Sequence, residues 1–240
     1  MKQGKKMLKY LIYSALLLSI CVFAGCSKSL PECESDEDKI TGCVGKEYYY
    51  NNGQLEIESE TPFKNGKENG IEKEYYKNGR LKRETPYTDG ELNGVEKRYY
   101  ENGRLAGETP FKNGKENGVE KSYYESGQLE FETPYTDGKA NGIKKKYYKN
   151  GRLKRETPYT DSKANGIEKK YYENGRLAGE TPYTDGKLNG VVKEYYETGE
   201  LLREAPYKNG EHDGVAKIYD KNGQLREKHF YLIENGFTKE

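Results

Sequence analysis

Residues able to act as nucleophile, general base or metal ligand are few. Histidine occurs only as His212 and His229. His212 falls where comparable stretches carry Leu92, Glu116 or Ala140, so it reads as a variable turn residue. No Cys/His cluster has the spacing of a zinc site. Carboxylates are abundant, but Glu84, Glu108, Glu132, Glu156, Glu180 and Glu204 recur at one fixed interval. An active site is a unique constellation, so a carboxylate that returns identically reads as structural. Asp89-Gly90 and its copies suggest calcium loops only superficially. Repeat-type calcium sites need several closely spaced acids, and each turn here has one Asp or Asn. The expectation is a protein without enzymatic activity, metal or cofactor. The residues best suited to recognition are paired tyrosines: Tyr75 and Tyr76, Tyr99 and Tyr100, Tyr123 and Tyr124, Tyr147 and Tyr148, Tyr171 and Tyr172, Tyr195 and Tyr196. Tyrosine is favoured at interfaces. Stacked on a sheet, such pairs could hold a protein or the rings of a sugar. A choline-type aromatic cage leans on tryptophan, the best cation–π partner, and the chain has none.

These pairs belong to a repeat. Gly70, Gly94, Gly118, Gly142, Gly166, Gly190 and Gly214 are evenly spaced 24 apart, as are Gly79, Gly103, Gly127, Gly151, Gly175, Gly199 and Gly223. An earlier unit around Val44–Asn69 has two extra residues before Thr61-Pro62-Phe63, and the last unit drifts, with His229-Phe230 in place of Thr-Pro. Atypical ends are expected of capping repeats. The count is eight units.

Each unit has two turn signals. Asn78-Gly79 predicts a two-residue hairpin turn, because both residues accept positive φ. Asp89-Gly90 followed by Asn93-Gly94 predicts a longer second turn. The segments between are of strand length and rich in Tyr, Ile, Val, Leu and Thr. This predicts an all-β fold: an elongated, single-layer antiparallel meander of 24-residue hairpins. A turn at Asn78-Gly79 sets Tyr76 opposite Leu81, Tyr75 opposite Lys82, Lys73 opposite Glu84 and Ile71 opposite Pro86. One face then carries Ile71, Tyr75 and a ladder of Lys73–Glu84 ion pairs. The other carries Tyr76, Leu81, Thr85 and Tyr87, and is expected to be the more buried. Pro86 and its copies should end or bulge the second strand, since proline removes a ladder donor.

The ends differ from the array. Lys2, Lys5, Lys6 and Lys9 give a basic start, and Leu8 to Phe23 is apolar or small apart from Lys9, on the plan of a secretory signal. Phe23-Ala24-Gly25-Cys26 resembles the lipobox of bacterial lipoproteins, with Phe23 where leucine is usual. The resemblance implies cleavage after residue 25 and a diacylglycerol on the Cys26 thiol, a two-chain anchor of the kind durable membrane binding needs. Ser27 does not resemble an inner-membrane retention signal, so the outer membrane is favoured in a cell that has two. The expected organisation is a signal over 1–25, a lipidated cysteine and polar tether over 26–43, the repeats over 44–237 and a tail over 238–240. Cys33 and Cys43 remain in an exported chain, where they can pair or stay as thiols. Removing the four signal lysines from 41 basic side chains leaves 37 against 40 acidic ones, a net −3. Nucleic-acid binding needs a basic footprint, and this balance excludes it.

The pattern Gly-(Ile/Val)-x-Lys-x-Tyr-Tyr-x-Asn-Gly-x-Leu-x-x-Glu-x-Pro-Tyr resembles the bacterial MORN-repeat variant, as found in YwqK-family antitoxin components of toxin–antitoxin pairs. The resemblance covers roughly Val44 to Gly236. It implies an elongated antiparallel sheet that binds proteins, among them a partner toxin to be neutralised. The leading expectation is therefore an envelope-anchored scaffold for protein–protein interaction. The alternative is binding of envelope glycan through the tyrosine ladders.

Overall fold

The computed structural model describes residues 29–51 and 54–231, and the backbone of Ile233–Glu234 and Phe237–Thr238. The predicted signal segment and Cys26 lie outside the described residues. A 23-stranded antiparallel sheet dominates the chain. Its first hairpin joins β1 (Cys43–Asn51) to β2 (Gln54–Lys64), and a two-residue strand, β3 (Lys67–Glu68), follows. The next unit repeats this as β4 (Gly70–Tyr75), β5 (Leu81–Thr88) and β6 (Glu91–Leu92), and β7 (Gly94–Tyr99) opens another. The pattern continues to the hairpin Gly214–Tyr219 with Leu225–Tyr231, so eight hairpins lie edge to edge. Ile233–Glu234 and Phe237–Thr238 pair separately.

The turn assignments are reversed relative to the sequence reading. The two-residue turn with both central residues at positive φ is Asp89-Gly90 (52° and 85°), between the paired Thr88 and Glu91. Asn78-Gly79 ends a three-residue loop instead. Tyr76 N donates to Arg80 O at 2.8 Å, Gly79 N to Tyr76 O at 2.8 Å, and only Gly79 has positive φ. This is a type I turn closed by a left-handed glycine. It shifts the register by one: Tyr75 pairs with Leu81, not Lys82. A bulge then restores the register, so Lys73 still faces Glu84 and Ile71 still faces Pro86. Leu81 consequently lies on the Tyr75 face rather than with Thr85.

Pro86 neither ends nor bulges its strand; the bulge lies earlier, at Lys82. Pro86 O accepts from Asn93 N at 3.0 Å. A strand residue's N and O point the same way, so its missing donor faces the place where the next unit jogs between β6 and β7. There Gly94 sits at φ +126°, and a Cβ on it would lie 3.0 Å from the proline Cγ. The recurrent glycine and the recurrent proline are thus one device: backbone pressed against a ring.

The segment expected to be an irregular tether contains a helix, α1 (Asp36–Thr41), started by a Ser35–Asp38 capping box. A disulfide joins Cys33 to Cys43. The end of α1 receives the first tight turn: Asn65 N donates to Ile40 O at 3.0 Å and Gly66 N to Lys39 O at 2.9 Å. In later units the preceding two-residue strand takes that role, as when Gly90 N donates to Glu68 O at 2.9 Å.

Gly118→Ala should test the glycine–proline device. With φ +124° and Pro110 Cγ 3.0 Å from the new Cβ, it is expected to cost about 1–3 kcal/mol. Gly127→Ala, with positive φ but open space around it, should cost about 1 kcal/mol. Urea midpoints of the two variants would give the order.

Candidate binding faces

The tyrosine pairs work first as joints between units. The first tyrosine reaches back: Tyr75 Oη donates to Glu60 Oε2 at 2.7 Å, Tyr99 to Glu84 at 2.7 Å, Tyr123 to Glu108 at 3.0 Å and Tyr147 to Glu132 at 2.7 Å. Tyr171, Tyr195 and Tyr219 do the same to Glu156, Glu180 and Glu204. The second tyrosine reaches forward to a backbone carbonyl: Tyr76 Oη donates to Tyr99 O at 2.6 Å, Tyr124 to Tyr147 O at 2.8 Å and Tyr148 to Tyr171 O at 2.7 Å. Tyr100, Tyr172 and Tyr196 repeat that bond. All twelve tyrosines singled out in the sequence are half-buried, and their hydroxyls are committed within the sheet. Burial, with the carboxylate hydrogen bond second, pushes the phenols of Tyr75, Tyr99, Tyr123, Tyr147 and Tyr171 up to about 12.

The face that carries Tyr75 and Leu81 has two further rows, since directly opposite residues share a face. One row alternates charge from strand to strand without interruption, from Lys46, Glu60, Lys73 and Glu84 to Glu204 and Lys217. It stops where Lys217 meets Lys228. The expected ion-pair ladder closes in only part of this row: Lys46–Glu60 at 3.7 Å, Lys121–Glu108 at 3.5 Å, Lys169–Glu156 at 4.0 Å and Lys217–Glu204 at 2.8 Å. The tyrosine hydroxyls take the carboxylates more regularly than the lysines do. The outer row is apolar. Ile71, Val95, Val119, Ile143, Ile167 and Val191 lie opposite prolines and are 42–51% exposed.

The opposite face is the more buried. Its central row holds Thr85, Thr109, Thr133 and Thr157, each only 3–4% exposed, and then Ala205 and Ala216. Thr157 Oγ1 donates to Glu168 Oε2 at 2.8 Å, and Thr61 Oγ1 to Glu72 Oε1 at 3.3 Å. Near the C-terminal end His212 stacks on Tyr231, with ring centroids 3.9 Å apart, and contacts the Tyr207 hydroxyl at 3.0 Å. Burial lowers the His212 pKa, and the ring packs as an aromatic plug in the Leu92 position. Among the described residues no group of three His, Cys, Asp or Glu could hold a metal ion. No helix among them is long and apolar enough to cross a membrane.

The family described as MORN repeat variant matches residues 68–89, 92–113, 116–137, 140–161, 164–185, 188–209 and 213–232. The chain belongs to the MORN repeat variant family. Each MORN segment begins at or next to a two-residue strand, and all but the last run through the hairpin to the next tight turn. The hairpin β1–β2 lies outside the matched residues yet pairs as the MORN hairpins do. No curated protein matches the chain. Among solved structures, the crystal structure of a porin-like protein from Bacteroides uniformis ATCC 8492 is 11% identical over 83% of this chain and 93% of that one, with a TM-score of 0.20. At that score the likeness carries no argument. The MORN repeats make the chain a repeat scaffold suited to binding.

The sequence reading set Ile71 on the less buried face and opposite Pro86, as the structure does, but singled out the tyrosines rather than this row for binding.

The tyrosine joints make an alkaline prediction. A phenol that ionises later when folded adds stability below its unfolded value of about 10 and loses it as pH rises toward about 12. Absorbance at 295 nm should show a distinct late-ionising group of tyrosines, the backward-reaching ones, titrating toward pH 12 together with loss of the strand circular dichroism. Ionisation of all tyrosines near 10 with the sheet intact would refute the joints.

Proposed function

We propose that this chain is a non-enzymatic scaffold, held at the cell envelope by lipid on Cys26, that binds a protein partner along the Ile/Val–Pro face. The observation that carries the reading is the exposed row of Ile71, Val95, Val119, Ile143, Ile167 and Val191. Six β-branched side chains on one line, beside a row of alternating charge, form an apolar strip with a polar border. Exposed apolar strips of that kind mark interaction surfaces, and repeat arrays offer long faces to partners. One residue per two strands sets them about 10 Å apart, which suits an extended partner with side chains at a matching interval. The tyrosines of this face lie beyond the charged row, their hydroxyls being tied into the sheet.

Lipidation supplies location. It rests on the resemblance of Phe23-Ala24-Gly25-Cys26 to a lipobox. In this reading the partner is a toxin met at the envelope and neutralised there, as immunity proteins do. The family to which the chain belongs is consistent with binding, and the YwqK-type resemblance supplies the toxin. A toxin-like reading frame beside the gene would favour that identity.

A pull-down from envelope extract tests the face. The chain should recover a discrete protein partner, and Ile143→Lys with Ile167→Lys should reduce recovery by tenfold or more while the thermal melt stays unchanged. Full recovery by the double variant would refute the proposed face. Cys26→Ala should move the protein from the membrane to the soluble fraction. Continued membrane fractionation would refute the lipid anchor.

A further inference from the structure

On the face opposite the apolar strip, the sheet carries a row in which like charges accumulate. Along the row next to the threonines, Glu74 lies opposite Arg83 and Arg83 opposite Arg98. Glu74 holds this group together: its carboxylate is 3.3 Å from Lys82 Nζ and pairs with the Arg83 guanidinium. Arg98 has Glu96 at 3.8 Å and Glu120 at 3.5 Å. Three units later the same positions read Lys146, Arg155 and Lys170, with Lys154 in the place of Lys82. The carboxylate has become a lysine. Three cations now lie directly opposite one another on successive strands, an arrangement that is destabilising by itself. Lys146 has Glu130 at 3.8 Å and Lys170 has Glu168 at 3.5 Å. Arg155 makes no ion pair within 4.0 Å among the described residues.

A cavity of about 390 Å³ opens over these groups, and no carboxylate lines it. Lys146, Lys154, Arg155 and Lys170 supply its charge. Ala178 stands on its rim where other units carry Lys154, Glu130 or Leu202, so this side has the small side chain. Tyr148 and Tyr172 form aromatic walls. Their hydroxyls donate to Tyr171 O and Tyr195 O; Lys154 Nζ lies 5.0 Å over the Tyr148 ring, so Tyr172 is the wall that offers ring carbon.

We propose that this cavity binds an acidic saccharide, whose carboxylate takes the place that Glu74 fills in the earlier unit while its pyranose ring lies against Tyr172. The internal comparison defines the anion, because the protein's own carboxylate satisfies the matching Lys–Arg pair. The apolar wall defines the rest: a small inorganic ion would leave it bare. Charge-assisted contacts to guanidinium and ammonium are the strong polar ones. The site is independent of what occupies the other face.

Isothermal titration calorimetry of the full chain with pentagalacturonate provides the test, with maltopentaose and inorganic phosphate as comparisons. Pentagalacturonate is expected to bind saturably, and maltopentaose of the same length is not. Lys146→Glu restores the Glu74 arrangement, so it should weaken binding at least tenfold while the melting temperature stays the same or rises. Arg155→Ala should weaken binding to a similar extent. No saturable binding of pentagalacturonate, or equal binding by the Lys146→Glu variant, would overturn the site. Phosphate binding as tightly as the sugar acid would overturn its assignment to a saccharide.

Discussion

A sheet one layer thick has no facing layer to bury its side chains against, so every hairpin in this chain depends on the hairpins beside it. The bond that answers this need is the tyrosine hydroxyl across the unit boundary. In each Tyr-Tyr pair from Tyr75-Tyr76 to Tyr195-Tyr196 one phenol reaches back to a glutamate and the other reaches forward to a carbonyl. Both are amphipathic groups with a ring to bury and one polar atom to satisfy. Glutamates that would otherwise form exposed ion pairs, each worth about 0–1 kcal/mol, gain a second, half-buried donor. Arginine adds to the joint at the first turn, where the Arg80 guanidinium donates to Glu101 O at 2.8 Å. Tyrosine, rather than a large aliphatic core, is therefore what the composition is rich in.

Much of this was legible before any coordinates. The 24-residue period, the strand character and the Lys73–Glu84 register follow from glycine spacing and turn chemistry. The register survived a mistaken turn because two departures cancel: a loop one residue longer at Asn78-Gly79, and a bulge at Lys82. Asn-Gly and Asp-Gly carry the same signal, and both suit a tight turn of positive φ. Which of them forms it depends on whether the flanking strands stay in step, and that is a property of the whole sheet. The face assignment of Leu81 failed for the same reason, since one bulged residue turns its neighbour over. The tyrosine partners were not legible at all. They lie 15 and 23 residues away, and only stacking brings those distances within reach of a phenol.

The ends of the array are treated differently from its middle. At the start, α1 presents the Lys39 and Ile40 carbonyls to the first tight turn, and the Cys33–Cys43 bridge secures the segment leading to it. Edge strands with free donors and acceptors invite unwanted pairing, and this segment occupies part of that edge, with Glu32 bridged to Val44. At the other end the alternating charge row closes on Lys217 and Lys228. An incoming strand whose lysine continued the row would meet a like charge there.

Because the tyrosine joint is the same at each boundary from the second hairpin onward, no hairpin there is made for one particular neighbour. A duplicated unit would bring its own backward and forward phenols and leave all other joints as they were. Array length is thus free to drift by whole hairpins through gene slippage without a fresh folding problem to solve. Individual units are correspondingly free to change their outward residues, as the series Glu74, Arg98, Ser122 and Lys146 illustrates. Growth by copying and divergence by point substitution become separable processes in such a ribbon.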